Sequence, residues 1–483
     1  MFLSDLVPLG FIIAGMSHNI VAQVQEWLRA HEDDLLADYR KLLQIPSIES
    51  DPEPNAPFGA ENRRALDYML SLSASHGMST KDGEGYYGFA EFGSGSQMVM
   101  SLGHVDVVPV GPGWKHEPFG AEVEDGWVYA RGAVDDKGPT MAMFYASLAV
   151  KAVMGDPGVR VRNVFGCDEE SGFGCVKHYL KTEEVPTIGV APDAGWPCIH
   201  GEKGISDFVV SWPIPKGDLT LLSLEGGQRP NIVIDSAKAK VLASGAGKSI
   251  LENAIAESWD RNLTFEWNGD ELNITAVGKA SHGANPFGGD NAVCRILRFL
   301  KDCAPTSQER EFDQMHELTH PGGNGIGIAG ADEPSGPLTA NLGIVETKDG
   351  HILFTINVRY PVTFVFDELK AKVEAKLADN VGKPTLVSAS DSKPLYFPID
   401  HPLIQTIQEV YEAETGDTKK PGTMGGGTYA RAVPNCVAIG TGWAGDGPAH
   451  ETDERYGVEH LFRASRIYGH LLVRMTQLAK EMP

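Results

Sequence analysis

His104 and Asp106 stand two residues apart in Ser101-Leu102-Gly103-His104-Val105-Asp106. An imidazole that binds a metal usually donates its second N–H to a carboxylate, and an Asp two residues along an extended segment returns to the side of the His. Asp106 therefore reads as the group that orients His104, although one such triplet is within the reach of chance in a chain with 15 histidines. Other donors follow along the chain. Asp135-Asp136 precede Lys137-Gly138-Pro139, where a carboxylate also serves as a helix cap. Glu169-Glu170 are adjacent acids, and Asp193 and His450 stand alone. Adjacent carboxylates at a strand end diverge, so one can ligate a metal while its neighbour reaches a bound water as general base. Two His and three carboxylates suffice for two zinc ions that share one bridging carboxylate. Two dications against three carboxylates and a hydroxide leave a near-neutral cluster, which a partly buried site tolerates. Nitrogen and oxygen ligands without thiolate suit zinc and also accept cobalt or manganese.

These donors act together only if the fold brings them together, and the apolar pattern says how. Runs of strand length occur at 98–102, 159–165, 187–191 and 435–439. His104 follows the first, Glu169-Glu170 the second and Asp193 the third, and His450 lies beyond a Gly- and Ala-bearing loop after the fourth. Helical spacing runs from Ile20 to about Leu43, over 139–154 with Pro139 suited to a first turn, and over 459–482. Largely apolar strands alternating with helices predict an α/β sheet buried on both faces, with ligands bound beyond the carboxyl ends of its strands. The 159–165 run alternates with Arg and is a candidate for the edge. Between 205 and 391 the rhythm changes: alternating segments at 207–212, 272–277 and 351–358 join helical patterns at 291–302 and 366–377, as in an α+β insertion. The expected organisation is a discontinuous catalytic domain, 16–204 and 392–483, interrupted by a second domain over 205–391.

Composition narrows the function classes. The 483 residues, 42% apolar, suffice for two or three domains with buried cores. A formal net charge of −24 repels phosphate backbones and argues against a nucleic-acid partner. Most of that surplus reads as solubility charge. Six scattered cysteines without a C-x-x-C pair read as reduced thiols, which fits a cytoplasmic protein. The opening stretch MFLSDLVPLGFIIAG is apolar, yet it carries Asp5, lacks Lys and Arg, and is too short to span a bilayer, so no membrane association is expected.

Four blocks carry a family resemblance: Ser101-Leu102-Gly103-His104-Val105-Asp106-Val107-Val108-Pro109, Ala130-Arg131-Gly132-Ala133-Val134-Asp135-Asp136-Lys137-Gly138-Pro139, Asp168-Glu169-Glu170-Ser171-Gly172 and Pro192-Asp193-Ala194. Along nearly the whole chain from about Trp27 the sequence resembles the dinuclear zinc exopeptidase superfamily of aminoacylases, carboxypeptidase G and succinyl-diaminopimelate desuccinylase, and within it the PepV-type bacterial dipeptidases. The resemblance implies a zinc-exopeptidase-like catalytic domain with a mixed central sheet flanked by helices. It also implies that the insertion is an enlarged α+β lid that lets a single chain complete its site, so a monomer is expected. His104 and Asp193 are implied on one metal, Glu170 and His450 on the other, with Asp135 bridging and Glu169 as general base; Asp136 is then not a ligand.

Within the insertion, His282 in Gly278-Lys279-Ala280-Ser281-His282-Gly283-Ala284 is similar to the family histidine that stabilises the tetrahedral intermediate. Asn231, in Arg229-Pro230-Asn231-Ile232-Val233, matches an amide that helps the same oxyanion. Arg359, in Asn357-Val358-Arg359-Tyr360-Pro361, matches the arginine that takes the substrate carboxylate, for which a planar guanidinium is the natural bidentate partner. Met424-Gly425-Gly426-Gly427-Thr428-Tyr429 resembles the segment bounding the substrate pocket, which makes Gly425, Gly426 and Tyr429 substrate-binding candidates. Relatives often have Ala or Ser where this chain has Gly283. The implied activity is hydrolysis of small dipeptides by a hydroxide bridging two zinc ions. Two other readings compete: an N-acyl amino acid deacylase or desuccinylase, whose substrates also end in a free carboxylate, and a non-catalytic metal or peptide binder, against which the intact Glu169 speaks.

Overall fold

The computed structural model describes residues 9–482, so residues 1–8 of the apolar opening stretch lie outside the described residues. The chain divides into two units: Met1–His200, Phe397–Gly422 and Thr428–Pro483 make one, Gly201–Tyr396 and Thr423–Gly427 the other. The short Thr423–Gly427 segment thus groups with the inserted unit rather than with the residues around it.

The first unit is built on a mixed sheet with strand order Ser79–Gly83, Tyr87–Phe92, Arg160–Gly166, Met98–His104, Ile188–Ala194, Cys436–Gly440 and Cys198–Glu202. The middle four strands are parallel, with Val99 opposite Val161 on one side and Ile188 on the other. Every residue of Met98–His104 is buried, as a strand covered on both faces requires. The helix Gly138–Met154 is apolar nearly all round and buried from Gly138 to Val150, with Pro139 in its first turn as expected. It packs with the C-terminal helix Val458–Glu481. All six cysteines are free thiols, and among the described residues no helix is long and apolar enough to cross a membrane.

Two local expectations are corrected. The Arg-bearing strand is not an edge: Arg160–Gly166 lies between Tyr87–Phe92 and Met98–His104, and the edge is Ser79–Gly83. Arg162 is buried there because its guanidinium is fully engaged. It bonds Glu91 at 2.7 Å, Tyr179 at 3.0 Å and Glu183 at 3.3 Å, and stacks on Phe89 at 4.0 Å. The single helix expected from Ile20 to Leu43 is two, Leu9–Ala30 and Glu32–Leu43, broken at His31. The His31 ring stacks on Trp27 and its Nδ1 lies 2.7 Å from the Trp27 carbonyl, while Glu32, Asp33 and Asp34 suit the start of a new helix.

The second unit carries an eight-stranded sheet ordered Leu263–Asn268, Glu271–Val277, Ser236–Ala243, Leu219–Gly226, Thr339–Lys348, His351–Tyr360, Gly204–Pro213 and Thr385–Ala389, with antiparallel neighbours throughout. Gly204–Pro213 alternates strictly between buried and half-buried residues, the pattern of a sheet with one face on a core. Phe208, Trp212, Leu221, Val241, Ile274 and Ile356 fill that core together with the helices Ala292–Cys303 and Phe366–Ala378. The mixed sheet with its α+β insertion bears out the expected fold class. Replacing Arg162 by Leu strips the buried Tyr179 hydroxyl of its guanidinium partner and leaves Glu183 paired with Lys81 alone, so urea unfolding should show a loss of about 1–3 kcal/mol. A loss of less than about 1 kcal/mol would mean that these ion pairs behave as surface pairs.

Candidate functional site

The four parallel strands end on one edge of the first unit's sheet, and their ends carry the donors. His104 closes Met98–His104, Glu169-Glu170 follow Arg160–Gly166, Asp193 lies near the end of Ile188–Ala194, and His450 sits in the loop after Cys436–Gly440. Gly103 allows the approach of the Asp135-Asp136 turn, since a Cβ there would meet Thr140 Oγ1 at 2.1 Å. Asp135 is shared. Its Oδ1 lies 3.2 Å from His104 Nε2 and its Oδ2 lies 3.1 Å from His450 Nε2. His450 Nε2 is also 3.1 Å from Glu170. His104, Asp135 and Asp193 present ligand atoms within 4.8 Å of one another, and so do Asp135, Glu170 and His450. Two nitrogen-and-oxygen triads that share one carboxylate are a donor set that fits two zinc-like dications. Glu169 comes within the same distance of His104 and Glu170.

The supporting contacts go beyond those legible in the motifs. Asp106 approaches His104 Nδ1 twice, with its backbone carbonyl at 3.1 Å and its carboxylate at 3.4 Å, so the carbonyl is the nearer acceptor. The other carboxylate oxygen of Asp106 accepts the amides of Glu169 at 2.9 Å and Glu170 at 3.1 Å, fixing the acidic pair as well. Asp136, adjacent to Asp135, does not face the histidine rings. It accepts from Thr140 Oγ1 at 2.8 Å and from the His104 amide at 3.3 Å. Two residues with no expected role also hold the site. Asp168 accepts the Gly174 amide at 2.6 Å, closing the Glu169-Glu170 loop, and Glu454 accepts the amides of Gly132, Val134 and Asp135. Asp168 begins the block Asp168-Glu169-Glu170-Ser171-Gly172; Glu454 lies four residues beyond His450, and only its acidity in that short segment marks it in the sequence.

The electrostatics are those of acids crowded out of water. Burial, reinforced by Asp135 and Asp136, pushes the Asp193 carboxyl far up. Burial and the charges of Glu170, Asp106 and Asp135 raise Glu169 to about 7 against the pull of His104. Burial also acts to raise Asp135, but its bonds from His104 and His450 outweigh it and hold the group below the usual carboxylate range. The His450 imidazole is carried up to about 10 by its bonds to Asp135 and Glu170. A cluster with these tendencies favours added positive charge at its centre.

The remaining candidates, apart from Tyr429, lie in the second unit. Asn231 and His282 are brought together: Ile232 pairs with His282, and the Gly283 amide donates to the Asn231 carbonyl at 2.7 Å. A Cβ at Gly283 would stand 3.0 Å from the Asn231 backbone, which gives the departure from Ala or Ser a packing reason. Asn341 anchors the same loop through the carbonyls of Pro230 at 2.7 Å and Ile232 at 3.0 Å. Arg359 is buried, with Nε donating to Asn357 at 3.0 Å and Nη1 to the Gly425 carbonyl at 3.3 Å. Gly426 follows in the same segment. Tyr429 is a correction. It is wholly buried in the first unit, its hydroxyl 2.8 Å from Cys175 Sγ and its ring edge-to-face with His104 at 6.1 Å, so it packs behind the histidine and offers no surface to a substrate. Burial and the Arg359 charge together lower the His282 pKa. Its imidazole is therefore neutral at pH 7, and proton NMR should show a midpoint below the ordinary 6.5. Arg359→Gln removes the repelling charge and should move that midpoint upward; an unchanged midpoint would mean that the two groups do not sense each other.

The chain has counterparts among known proteins. Residues 100–474 match peptidase family M20/M25/M40. The Bacillus subtilis protein named "Putative dipeptidase YtjP" is 36% identical over 461 residues, covering 92% of this chain and 98% of that protein. A Staphylococcus epidermidis protein with a dipeptidase name of the same kind is 35% identical over 458 residues, covering 92% and 97%. Among solved structures, aminoacylhistidine dipeptidase from Vibrio alginolyticus superposes with a TM-score of 0.53 at 15% identity, over 93% of this chain and 96% of that one. Human carnosine dipeptidase 1 gives 0.51 at 16% identity, over 95% and 100%. At such identities the solved structures speak for the fold, whereas the family match and the full-length relatives speak for descent, and the chain belongs to peptidase family M20/M25/M40.

Proposed function

We propose that the chain is a dinuclear zinc dipeptidase that hydrolyses the peptide bond of small dipeptides. The observation that carries this reading is the sharing of Asp135 between the His104–Asp193 and Glu170–His450 donor groups, in a chain whose relatives of nearly equal length bear dipeptidase names. His104 and Asp193 would hold one ion and Glu170 and His450 the other, with Asp135 shared between them, and manganese or cobalt could take the place of zinc. When bound, the ions supply Lewis acidity and bring the pKa of an attacking water towards neutrality.

The chain's own residues do the rest. Glu169 removes a proton from the water as it attacks the peptide carbonyl and returns it to the leaving amine. Its placement beside Glu170, with the backbone of both fixed by Asp106, supports that role. His282, kept neutral, donates an N–H to the developing oxyanion, with Asn231 as a second donor. Arg359 takes the substrate's free carboxylate. Its anchorage to Asn357 and to the Gly425 carbonyl supports a preorganised fork bordered by Gly425 and Gly426. The six free thiols support a cytoplasmic location, and the monomeric state rests on the resemblance alone.

A hydrolysis panel tests the assignment. Free dipeptides, β-alanyl ones included, should be cleaved by metal-replete protein and spared after chelation, with zinc content near two per chain. Cleavage confined to N-acetyl or N-succinyl amino acids would transfer the reading to a deacylase, and full zinc without cleavage of any substrate would leave a binding protein. Glu169→Ala should retain metal and lose turnover; substantial activity with metal bound would remove Glu169 from the base role. His282→Ala should lower kcat by about 100-fold, the scale of one oxyanion donor, with KM little changed. An effect on KM alone would make His282 a binding group.

A further inference from the structure

Glu454 is fully buried, and its carboxylate is surrounded by donors from the turn that presents Asp135. Oε1 accepts the amides of Val134 at 2.9 Å and Asp135 at 3.2 Å, while Oε2 accepts the Gly132 amide at 3.0 Å and Arg131 Nη1 at 2.8 Å. The Glu454 backbone carbonyl takes the Ala130 amide at 3.0 Å. Arg131, also buried, extends the tie in two directions. Its Nη1 donates to the Glu451 carbonyl at 3.1 Å, and its Nη2 donates to the carbonyls of Pro109 and Val110 at 3.4 Å. One carboxylate thus joins the Asp135 turn to the segment that carries His450, and through Arg131 to the segment that follows His104 and Asp106.

We propose that Glu454 is a positioning residue that sets the donor geometry of the metal centre before any metal binds, an inference that rests on the dinuclear reading above. Asp135 must meet His104 and His450 at once, and each of those rings belongs to a different segment. A turn free to move would present its two oxygens in many arrangements. Charge-assisted bonds to three backbone amides of the turn confine it to one, and their burial keeps water from replacing them. A buried ion pair that merely supports the fold would make a different prediction: losing it lowers stability and leaves the metal environment of the folded protein unchanged.

Hydrogen exchange on the wild-type protein tests the claim without any substitution. The amides of Gly132, Val134 and Asp135 should be as protected in chelated protein as in zinc-loaded protein; protection that appears only after zinc is added would overturn the proposal. Glu454→Gln keeps the shape but removes the charge and turns one acceptor into a donor facing Arg131. Zinc titration calorimetry should show affinity weakened by about 10–100-fold, the scale for lost supporting contacts. The visible absorption of the cobalt-substituted variant should shift as its coordination changes. Zinc affinity within about 2-fold of wild type, or an unchanged cobalt spectrum, would overturn it. Wild-type protein that takes up no zinc would instead overturn the dinuclear reading itself. If the variant does not fold, the exchange measurement on wild type decides alone.

Discussion

The contact on which the site depends is the Asp135 carboxylate, held between the imidazoles of His104 and His450, which lie far apart in the sequence. Gathering Asp135, Glu169, Glu170 and Asp193 in one half-buried space is costly, because each carboxylate loses water and faces like charge. The protein tolerates it by giving the surrounding anions partners of their own. Asp106 accepts the amides of Glu169 and Glu170, Glu454 pairs with Arg131 and accepts three backbone amides, and Asp136 accepts from Thr140 and the His104 amide. What is left is a compact negative centre whose two histidines point at the shared carboxylate.

Such a centre requires strand ends that converge, and the parallel core provides them. Met98–His104 lies between Arg160–Gly166 and Ile188–Ala194, with Cys436–Gly440 next, so segments distant in sequence end side by side. The inserted unit has its own antiparallel sheet and its own core of Phe208, Trp212 and Ile356, so it interrupts the chain between Ile188–Ala194 and Cys436–Gly440 without supplying any strand to the parallel four.

The parts legible in the sequence were those with local causes. Apolar runs mark strands wherever burial on both faces leaves no choice of residue, and the candidate donors His104, Glu169, Glu170 and Asp193 stand just beyond those runs, where the sequence alone draws attention to them. The parts that were not legible depend on partners far along the chain. Arg162 looks like an edge residue until Glu91, Tyr179 and Glu183 surround it. Tyr429 follows a glycine run and reads as a pocket wall, yet Cys175 and His104 claim both its hydroxyl and its ring. The break at His31 comes from a ring that stacks back on Trp27, which helical periodicity does not record. Glu454 is one acid among 65 Asp and Glu until its amide partners are seen.

The two units also differ in the sign of the charge their site residues offer. The first unit's residues are acids that demand cations, and no substrate carboxylate can settle among them unaided. The second unit sets Arg359, fixed at both Nε and Nη1, near a His282 whose protonation burial and then the Arg359 charge discourage. On the proposed reading that arrangement suits anions of two kinds: the fork would take a permanent carboxylate, and a neutral imidazole would donate a hydrogen bond to an oxygen that becomes charged only as the carbonyl is attacked. Were His282 protonated in the ground state, it would hold the substrate carboxylate as readily as the oxyanion, and part of its binding energy would be given before the transition state. On the proposed reading Arg359 contributes twice, once by its own charge and once by adding to the burial that keeps the His282 imidazole neutral.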